Sequence, residues 1–257
     1  MTQSLTENAK NYRDRMFPGH ESTLAKTDPE FIERFANFAF DEVINDPHVH
    51  LDDRTRFLSL MAVLMGCQGI DDFQLLLPAA LRMGVSPVEL KEIVYQGVDY
   101  LGMGRVFPFL KAVNEALTEA GIQLPLPGQA STTMENRLEK GAEAQMEIFG
   151  PQMAGFAESG PEPERHINRW LVDNCFGDYY TRAGLSLAER EMITFCFLYA
   201  QGGCEPQLKA HIAANFRMGN DQEYLIRIVS NNVPFIGYPR SLNALSCLRE
   251  VALQQKK

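Results

Sequence analysis

The sequence predicts an all-α protein made of two tandem helical repeats. Apolar residues recur at spacings of three and four, as on the buried face of a helix, and the alternation typical of strands is scarce. The segment Arg82-Met83-Gly84 recurs as Arg217-Met218-Gly219, an offset of 135 residues (82 to 217), and the same offset pairs Ile93 with Ile228. Because one offset holds through a whole helix and its flanking glycines, it indicates an internal duplication.

Helix starts and ends are marked at corresponding places in both repeats. Ser86 with Glu89, and Ser186 with Glu189, each have the spacing of a capping box at a helix N-terminus. Helices are expected to end near four glycines, namely Gly84, Gly102, Gly219 and Gly237. Each repeat is also expected to have an earlier helix, the first beginning at Asp28-Pro29 and the second spanning roughly 163–178.

A linker separates the two repeats. Residues 122–134 contain two prolines, a glycine and small polar residues, and a polar helix is expected at about 135–149. We therefore divide the chain into residues 1–125 and 126–257.

Composition narrows the classes of partner and the compartment. A net charge of −9 repels phosphate backbones and anionic headgroups, so neither nucleic acid nor a membrane is expected as a partner. The sequence has no apolar run of about 18 residues that would cross a bilayer. Five cysteines, odd in number and widely spread, suit a reducing cytoplasm better than a disulfide framework.

The second repeat carries a candidate thiol and a candidate imidazole. Gly202-Gly203 ends one helix, and Pro206 suits the first turn of the next. Cys204 is therefore expected at a helix N-terminus, where partial positive charge lowers a thiol pKa. His211 follows seven residues later, which is two helical turns, so both side chains are expected on one face.

Glu191 is the candidate acid. Its helical neighbours include Thr194, Phe195 and Leu198, so it is expected on a buried face where a carboxylate needs a partner. His211 is a candidate partner, and a Glu–His pair has the fixed tautomer that general acid–base catalysis requires.

Simpler structural roles are open for each of these residues. His211 could be a hydrogen-bonded core histidine, Cys204 a small buried apolar residue, and Glu191 the partner of a surface arginine. A metal site made of Glu191, Cys204 and His211 is a further alternative. Three aromatic residues are expected in the core or lining a pocket: Phe176, Tyr179 and Tyr180.

Several segments resemble the carboxymuconolactone decarboxylase and alkylhydroperoxidase D-like family. They are Phe176–Glu191, His211–Gly219, the Gly237-Tyr238-Pro239-Arg240 stretch, and the join at 137–150. The resemblance covers most of residues 30–252, and it implies an all-α fold of two such repeats, no bound cofactor and a homo-oligomer, a trimer of tandem chains. It associates the chain with two activities, decarboxylation of 4-carboxymuconolactone and a peroxidase activity that uses a Cys-x-x-Cys pair.

Matched to the family, Glu191 and His211 take the positions of its acid and histidine, and Cys204 takes the position of its first peroxidase cysteine. The second cysteine is replaced by Gln207, which removes intramolecular disulfide turnover. In the first repeat the equivalents of the acid and histidine are Phe57 and Leu76, so that repeat has lost its polar site.

Three functions follow as hypotheses. The favoured one is a cofactor-independent carboxy-lyase acting on a small organic acid or lactone, with His211 as general acid–base and Glu191 orienting it. Candidate substrate-binding residues are Arg182, Arg240 and Tyr238. The alternatives are a thiol antioxidant that uses Cys204, and a non-enzymatic oligomeric binding protein.

Overall fold

A computed structural model describes residues 4–19 and 22–255, and no β-strand occurs in those ranges. The helices before the linker are α1 (Glu7–Met16), α2 (Leu24–Thr27), α3 (Pro29–Asn37), α4 (Val43–Asn45), α5 (Asp53–Gly66), α6 (Ile70–Arg82), α7 (Pro87–Leu101) and α8 (Met103–Glu119). The later helices are α9 (Arg137–Phe149), α10 (Arg165–Trp170), α11 (Leu187–Gln201), α12 (Glu205–Arg217), α13 (Gln222–Ile236) and α14 (Tyr238–Gln255). None of the described helices is long and apolar enough to span a bilayer.

The predicted all-α fold and its tandem repetition are confirmed. Helices α5 to α8 recur in the same order as α11 to α14. Both repeats also contain a π-helical segment in the preceding helix, Phe38–Glu42 in the first and Leu171–Tyr180 in the second. The second segment continues α10, so the helix predicted at roughly 163–178 is present but widens into a π-helix. The division of the chain near residue 125 stays a prediction.

The capping boxes form as the sequence predicts. The Ser86 hydroxyl accepts from the backbone N–H of Glu89, whose carboxylate accepts from the Ser86 N–H, and Ser186 and Glu189 repeat the arrangement. Gly102 ends α7 with φ of 80°, a left-handed conformation that only glycine adopts without strain. Residues close to each of these helix ends in the sequence therefore determine where the helix begins or ends.

The two repeats interlock through α5 and α11, most of whose residues are buried. At Gly66 the helices approach so closely that a Cβ atom would lie 2.8 Å from the Phe197 carbonyl oxygen. One continuous apolar core contains side chains of both repeats, including Phe57 and Phe195. A side chain of one repeat can therefore reach a site in the other.

Two buried arginines cross between the repeats at corresponding positions. Arg190 on α11 donates to Gln96 Oε1 at 3.1 Å and to Glu92 Oε2 at 3.0 Å, both on α7. Arg56 on α5 donates to the side-chain oxygen of Asn231 on α13. We call these contacts the arginine clamps, and they tie each repeat to the other.

Candidate active site

The predicted Glu–His pair is formed between α11 and α12. His211 Nδ1 lies 2.8 Å from Glu191 Oε2. Glu191 is fully buried and His211 is only 8% exposed. The alternative pairing of Glu191 with a surface arginine is wrong, because the carboxylate lies in the interior and contacts the imidazole.

Asn215 holds this pair in place. Its amide nitrogen donates to the Glu191 carbonyl at 2.9 Å and to the His211 carbonyl at 2.8 Å. Asn220 donates in turn to Asn215 Oδ1 at 2.8 Å and to the Ala188 carbonyl at 2.8 Å. The hydrogen bonds fix α12 against α11, so the separation of acid and imidazole does not depend on side-chain packing alone. Sequence reasoning missed Asn215, although its position one turn after His211 places it on the same helix face.

Two aromatic rings from outside the helix pair flank the imidazole. The ring of Tyr100, at the end of α7 in the first repeat, meets that of His211 edge to face at 5.4 Å. The ring of Phe149, at the end of α9, does so at 5.2 Å. The site is therefore assembled from both repeats and the helix after the linker, a composition that no local pattern in the sequence indicated.

A chain of hydroxyl groups extends from this aromatic wall. The hydroxyls of Tyr100 and Tyr180 lie 2.7 Å apart, and Tyr180 lies 2.6 Å from Thr194 Oγ1. Gln96 Nε2 donates to the same threonine oxygen at 2.8 Å. Burial raises the pKa of both tyrosines well above its usual value, so they are neutral phenols. Phe176 packs against Phe149 at 5.8 Å, which agrees with its expected place in the core or pocket wall.

Hydrogen bonding leaves one ring nitrogen of His211 free. Nδ1 is occupied by Glu191, and Nε2 has no hydrogen-bond partner among the residues that the structure describes. One tenth of the side-chain surface remains exposed. Glu191 Oε1 is buried and has no hydrogen-bond partner among the described residues, so the carboxylate keeps acceptor capacity beside the imidazole. With Nδ1–H directed at the carboxylate, Nε2 is the nitrogen able to exchange a proton with a bound molecule.

Cys204 lies apart from this pair. It is the N-cap residue of α12, as predicted, but the seven residues to His211 span about 10 Å along a helix at 1.5 Å per residue. Its thiol donates to the Leu198 carbonyl at 3.4 Å and accepts from Gln201 at 3.7 Å. The expected lowering of its pKa was wrong: burial raises the pKa of this thiol. The helix N-terminus does not compensate for the lost hydration of a thiolate.

The three candidate substrate-binding residues also lie away from the imidazole. Arg182 donates from Nε and Nη2 to Glu92 at 2.9–3.1 Å. Arg240 is exposed and donates to the Ala200 carbonyl at the end of α11. Tyr238 is 62% exposed at the start of α14. Within residues 4–19 and 22–255, no hydrogen bond, ion pair or ring contact joins any of the three to His211.

The three-residue metal site considered from the sequence is not assembled. Glu191 and His211 meet, but Cys204 does not join them. Nowhere in the described part of the chain do three or more His, Cys, Asp or Glu side chains cluster as metal ligands would.

In the first repeat, Phe57 and Leu76 take the places of the acid and the histidine, as the sequence indicated. Both are buried in the apolar core. A cavity of about 160 Å³ adjoins Leu76, and Phe235 of the second repeat is among its lining residues. The positions of Phe57 and Leu76 in the first repeat are therefore apolar, whereas the corresponding Glu191 and His211 of the second repeat are polar.

Together the fold and the site define a class, an all-α protein of two interlocked repeats with a buried His–Glu pair in the second. The sequence profile of the Carboxymuconolactone decarboxylase family matches residues 29–115 and 166–250. These segments make up more than half of the chain and fall one in each repeat, so the chain belongs to that family. The resemblance found in the sequence is confirmed.

A solved structure shares the fold over nearly the whole length. It is a protein from Burkholderia xenovorans LB400, provisionally described as a gamma-carboxymuconolactone decarboxylase subunit. The TM-score is 0.54 at 23% identity, with 97% of this chain and 98% of that chain covered. At this identity the likeness concerns the fold alone. A comparison with curated proteins finds no match.

Proposed function

We propose that the chain is a carboxy-lyase of the 4-carboxymuconolactone decarboxylase type, acting on a small organic acid or lactone by acid–base catalysis. The single observation that carries the proposal is the 2.8 Å contact between His211 Nδ1 and the buried Glu191, with the other ring nitrogen left unpaired. Membership of the Carboxymuconolactone decarboxylase family supports the same reaction class.

In this reaction His211 supplies the proton. As carbon dioxide leaves, the electron pair of the broken C–C bond stays on carbon and is delocalised as a dienolate. The Nε2–H of His211 donates its proton to that carbon, and the electron pair forms the new C–H bond. Before the transfer the imidazole is protonated at both nitrogens, and Glu191 stabilises that cation by accepting from Nδ1.

The surroundings of the pair suit this role. Tyr100 and Phe149 cover the imidazole and keep bulk water away from it. Asn215 fixes the carbonyls of both pair members, so the acid–base geometry is set before a substrate arrives. In the described part of the chain no hydrogen bond, ion pair or ring contact joins Arg182, Arg240 or Tyr238 to the pair, so we leave the group that holds the substrate carboxylate unassigned.

The test is release of carbon dioxide from 4-carboxymuconolactone by the purified chain. We expect the wild type to turn the lactone over, and His211→Gln to slow the reaction by roughly 10² to 10⁴-fold, the usual contribution of a general acid. His48→Gln changes a histidine that is exposed in the first repeat and is the matched control. Equal rates for wild type and His211→Gln, or a wild type inert on lactone acids, would refute the proposal.

We also propose that the chain forms the homotrimer that the family resemblance implies. Ile167, Trp170 and Leu171 are exposed on one side of α10 and the helix that follows, and such an apolar face is costly in water. Light scattering coupled to size exclusion is expected to give three times the 28.9 kDa chain mass. A monomer mass at micromolar concentration would contradict it.

A further inference from the structure

A second cavity lies away from the His211 site. It has a volume of about 460 Å³ and is formed by α7, the middle of α8, residues 124–129 of the linker, and Arg182. Neither His211 nor Glu191 lines it. Its walls combine two cations and one carboxylate, that of Glu92, with an aromatic ring and several apolar side chains, which is the composition of a small-molecule site.

Lys91 is the most informative residue of this cavity. It is 8% exposed, and its ammonium group donates to Asn114 Oδ1. No carboxylate in the described part of the chain pairs with it. Desolvation lowers its pKa, which is the consequence of a buried ammonium without a counter-ion. Burial of such a group is costly unless a ligand supplies the opposite charge.

The charge around Lys91 is positive in an acidic protein. Arg182 also lines the cavity, and Arg190 Nη2 donates to the Arg182 carbonyl at 2.8 Å. Both arginines bind the same carboxylate, that of Glu92. Two cations, Lys91 and Arg182, therefore line the cavity with one anion, Glu92, although the whole chain carries a net charge of −9. A local positive excess of this kind attracts anions.

The remaining walls indicate the body of the ligand. The ring centroid of Tyr95 lies near both cations, 5.9 Å from Lys91 Nζ and 5.2 Å from Arg182 Cζ. Val88 and the linker residues Leu124–Pro127 supply apolar surface. A flat, largely apolar body carrying a carboxylate would match both parts of the lining.

The lining of this cavity is not reproduced at the corresponding positions of the second repeat. At the 135-residue offset the counterparts of Lys91, Glu92 and Tyr95 are Ile226, Arg227 and Ser230. The lysine and the tyrosine of this lining are thus particular to the first repeat, although that repeat has lost the His–Glu pair.

From these observations we propose that the cavity around Lys91 is a binding site for a small aromatic or unsaturated carboxylate, separate from the His211 site. Lys91 and Asn114 bind the carboxylate, Arg182 adds to the attraction, and Tyr95 packs against the flat body of the ligand.

The probes are benzoate and its uncharged analogue benzamide, with binding followed by calorimetry and by methyl NMR of the wild-type chain. Benzoate is expected to bind and to shift the methyl signals of Val88 and Leu126, whereas benzamide is expected to bind at least tenfold more weakly. Lys91→Gln is expected to weaken benzoate binding by about tenfold or more, the usual effect of losing a charge-assisted hydrogen bond. Lys111→Gln, an exposed lysine on α8, is the matched control and is expected to bind as wild type does.

The His211→Gln variant separates this proposal from the proposed reaction. We expect it to bind benzoate normally even though its lactone turnover is slowed by roughly 10² to 10⁴-fold. Loss of benzoate binding in His211→Gln but not in Lys91→Gln would place the ligand in the other site and overturn the proposal. Absence of benzoate binding by the wild type at millimolar concentration, or equal binding of benzamide, would overturn it as well.

Discussion

Corresponding positions of the two repeats differ in a systematic way. Four polar side chains at the His211 site have apolar counterparts: Glu191 and Phe57, His211 and Leu76, Asn215 and Ala80, Tyr100 and Phe235. The arginine clamps, by contrast, are polar in both repeats. The fold therefore forms equally well with apolar side chains at the positions that correspond to the His211 site. Each repeat, however, keeps a buried arginine that crosses to the other repeat. Polar groups that the fold does not need are the ones expected to serve chemistry.

The largest effect is expected from converting the His211 site to its first-repeat counterpart. His211→Leu should lower lactone turnover by roughly 10² to 10⁴-fold. It should also lower the free energy of unfolding by about 3–5 kcal/mol, because Glu191 is left buried without a partner. Kinetics and urea titration measure the two effects.

Adding Glu191→Met to that variant sharpens the comparison. Replacing both members of a buried pair by apolar groups of similar size is often neutral, so stability should recover while turnover stays low. Recovery of turnover in the double variant would contradict the assigned role of the pair.

Unlike the Glu191–His211 pair, the arginine clamps are expected to be needed for stability. Arg190→Met removes one of the two cations that bind the buried Glu92 and should cost about 3–5 kcal/mol in urea titration. Arg56→Met, which leaves only Asn231 and the Leu51 carbonyl without their donor, should cost about 1–3 kcal/mol. If Arg190→Met were as stable as wild type, the clamps could not be the feature that ties the repeats together.

A smaller, pH-dependent effect is expected at Asp99, whose counterpart Pro234 cannot titrate. Burial raises the pKa of Asp99 from 3.8 to about 7. Between those values the unfolded chain releases this proton and the folded chain keeps it, so the stability contributed at low pH is lost as the pH rises to 7. Asp99→Asn should therefore be more stable than wild type at pH 8, with the difference shrinking towards pH 4. A constant difference across thermal melts in that range would rule this out.

The smallest effect is expected at Cys204, which corresponds to the N-cap residue Gly69 of α6. Because burial raises the pKa of the thiol, its alkylation at pH 8 should be slower than that of free cysteine. Cys204→Ser should leave lactone turnover within about twofold of wild type. Peptide mass spectrometry measures the alkylation, and a thiol faster than free cysteine would revive the antioxidant alternative.

Much of the fold was predictable because its signals are local. The capping boxes at Ser86 and Ser186 depend on neighbours three residues away, and both form as predicted. The Glu191–His211 contact could also be anticipated, because a carboxylate on a buried helix face requires a partner. The thiol chemistry could not, since the pKa of Cys204 depends on how deeply the folded chain buries it.

By itself the sequence determined the helices and their duplication, because helix periodicity and capping act over a few residues and repetition is visible in the chain. It made the Glu191–His211 pair of the second repeat a candidate among alternatives. Tertiary structure alone decided that Tyr100 and Phe149 enclose the imidazole, that Arg182 faces a different cavity, and that no carboxylate among residues 4–19 and 22–255 pairs with Lys91. These features arise from helices distant in the chain that pack together, and the environment of a buried charge is set by everything packed around it.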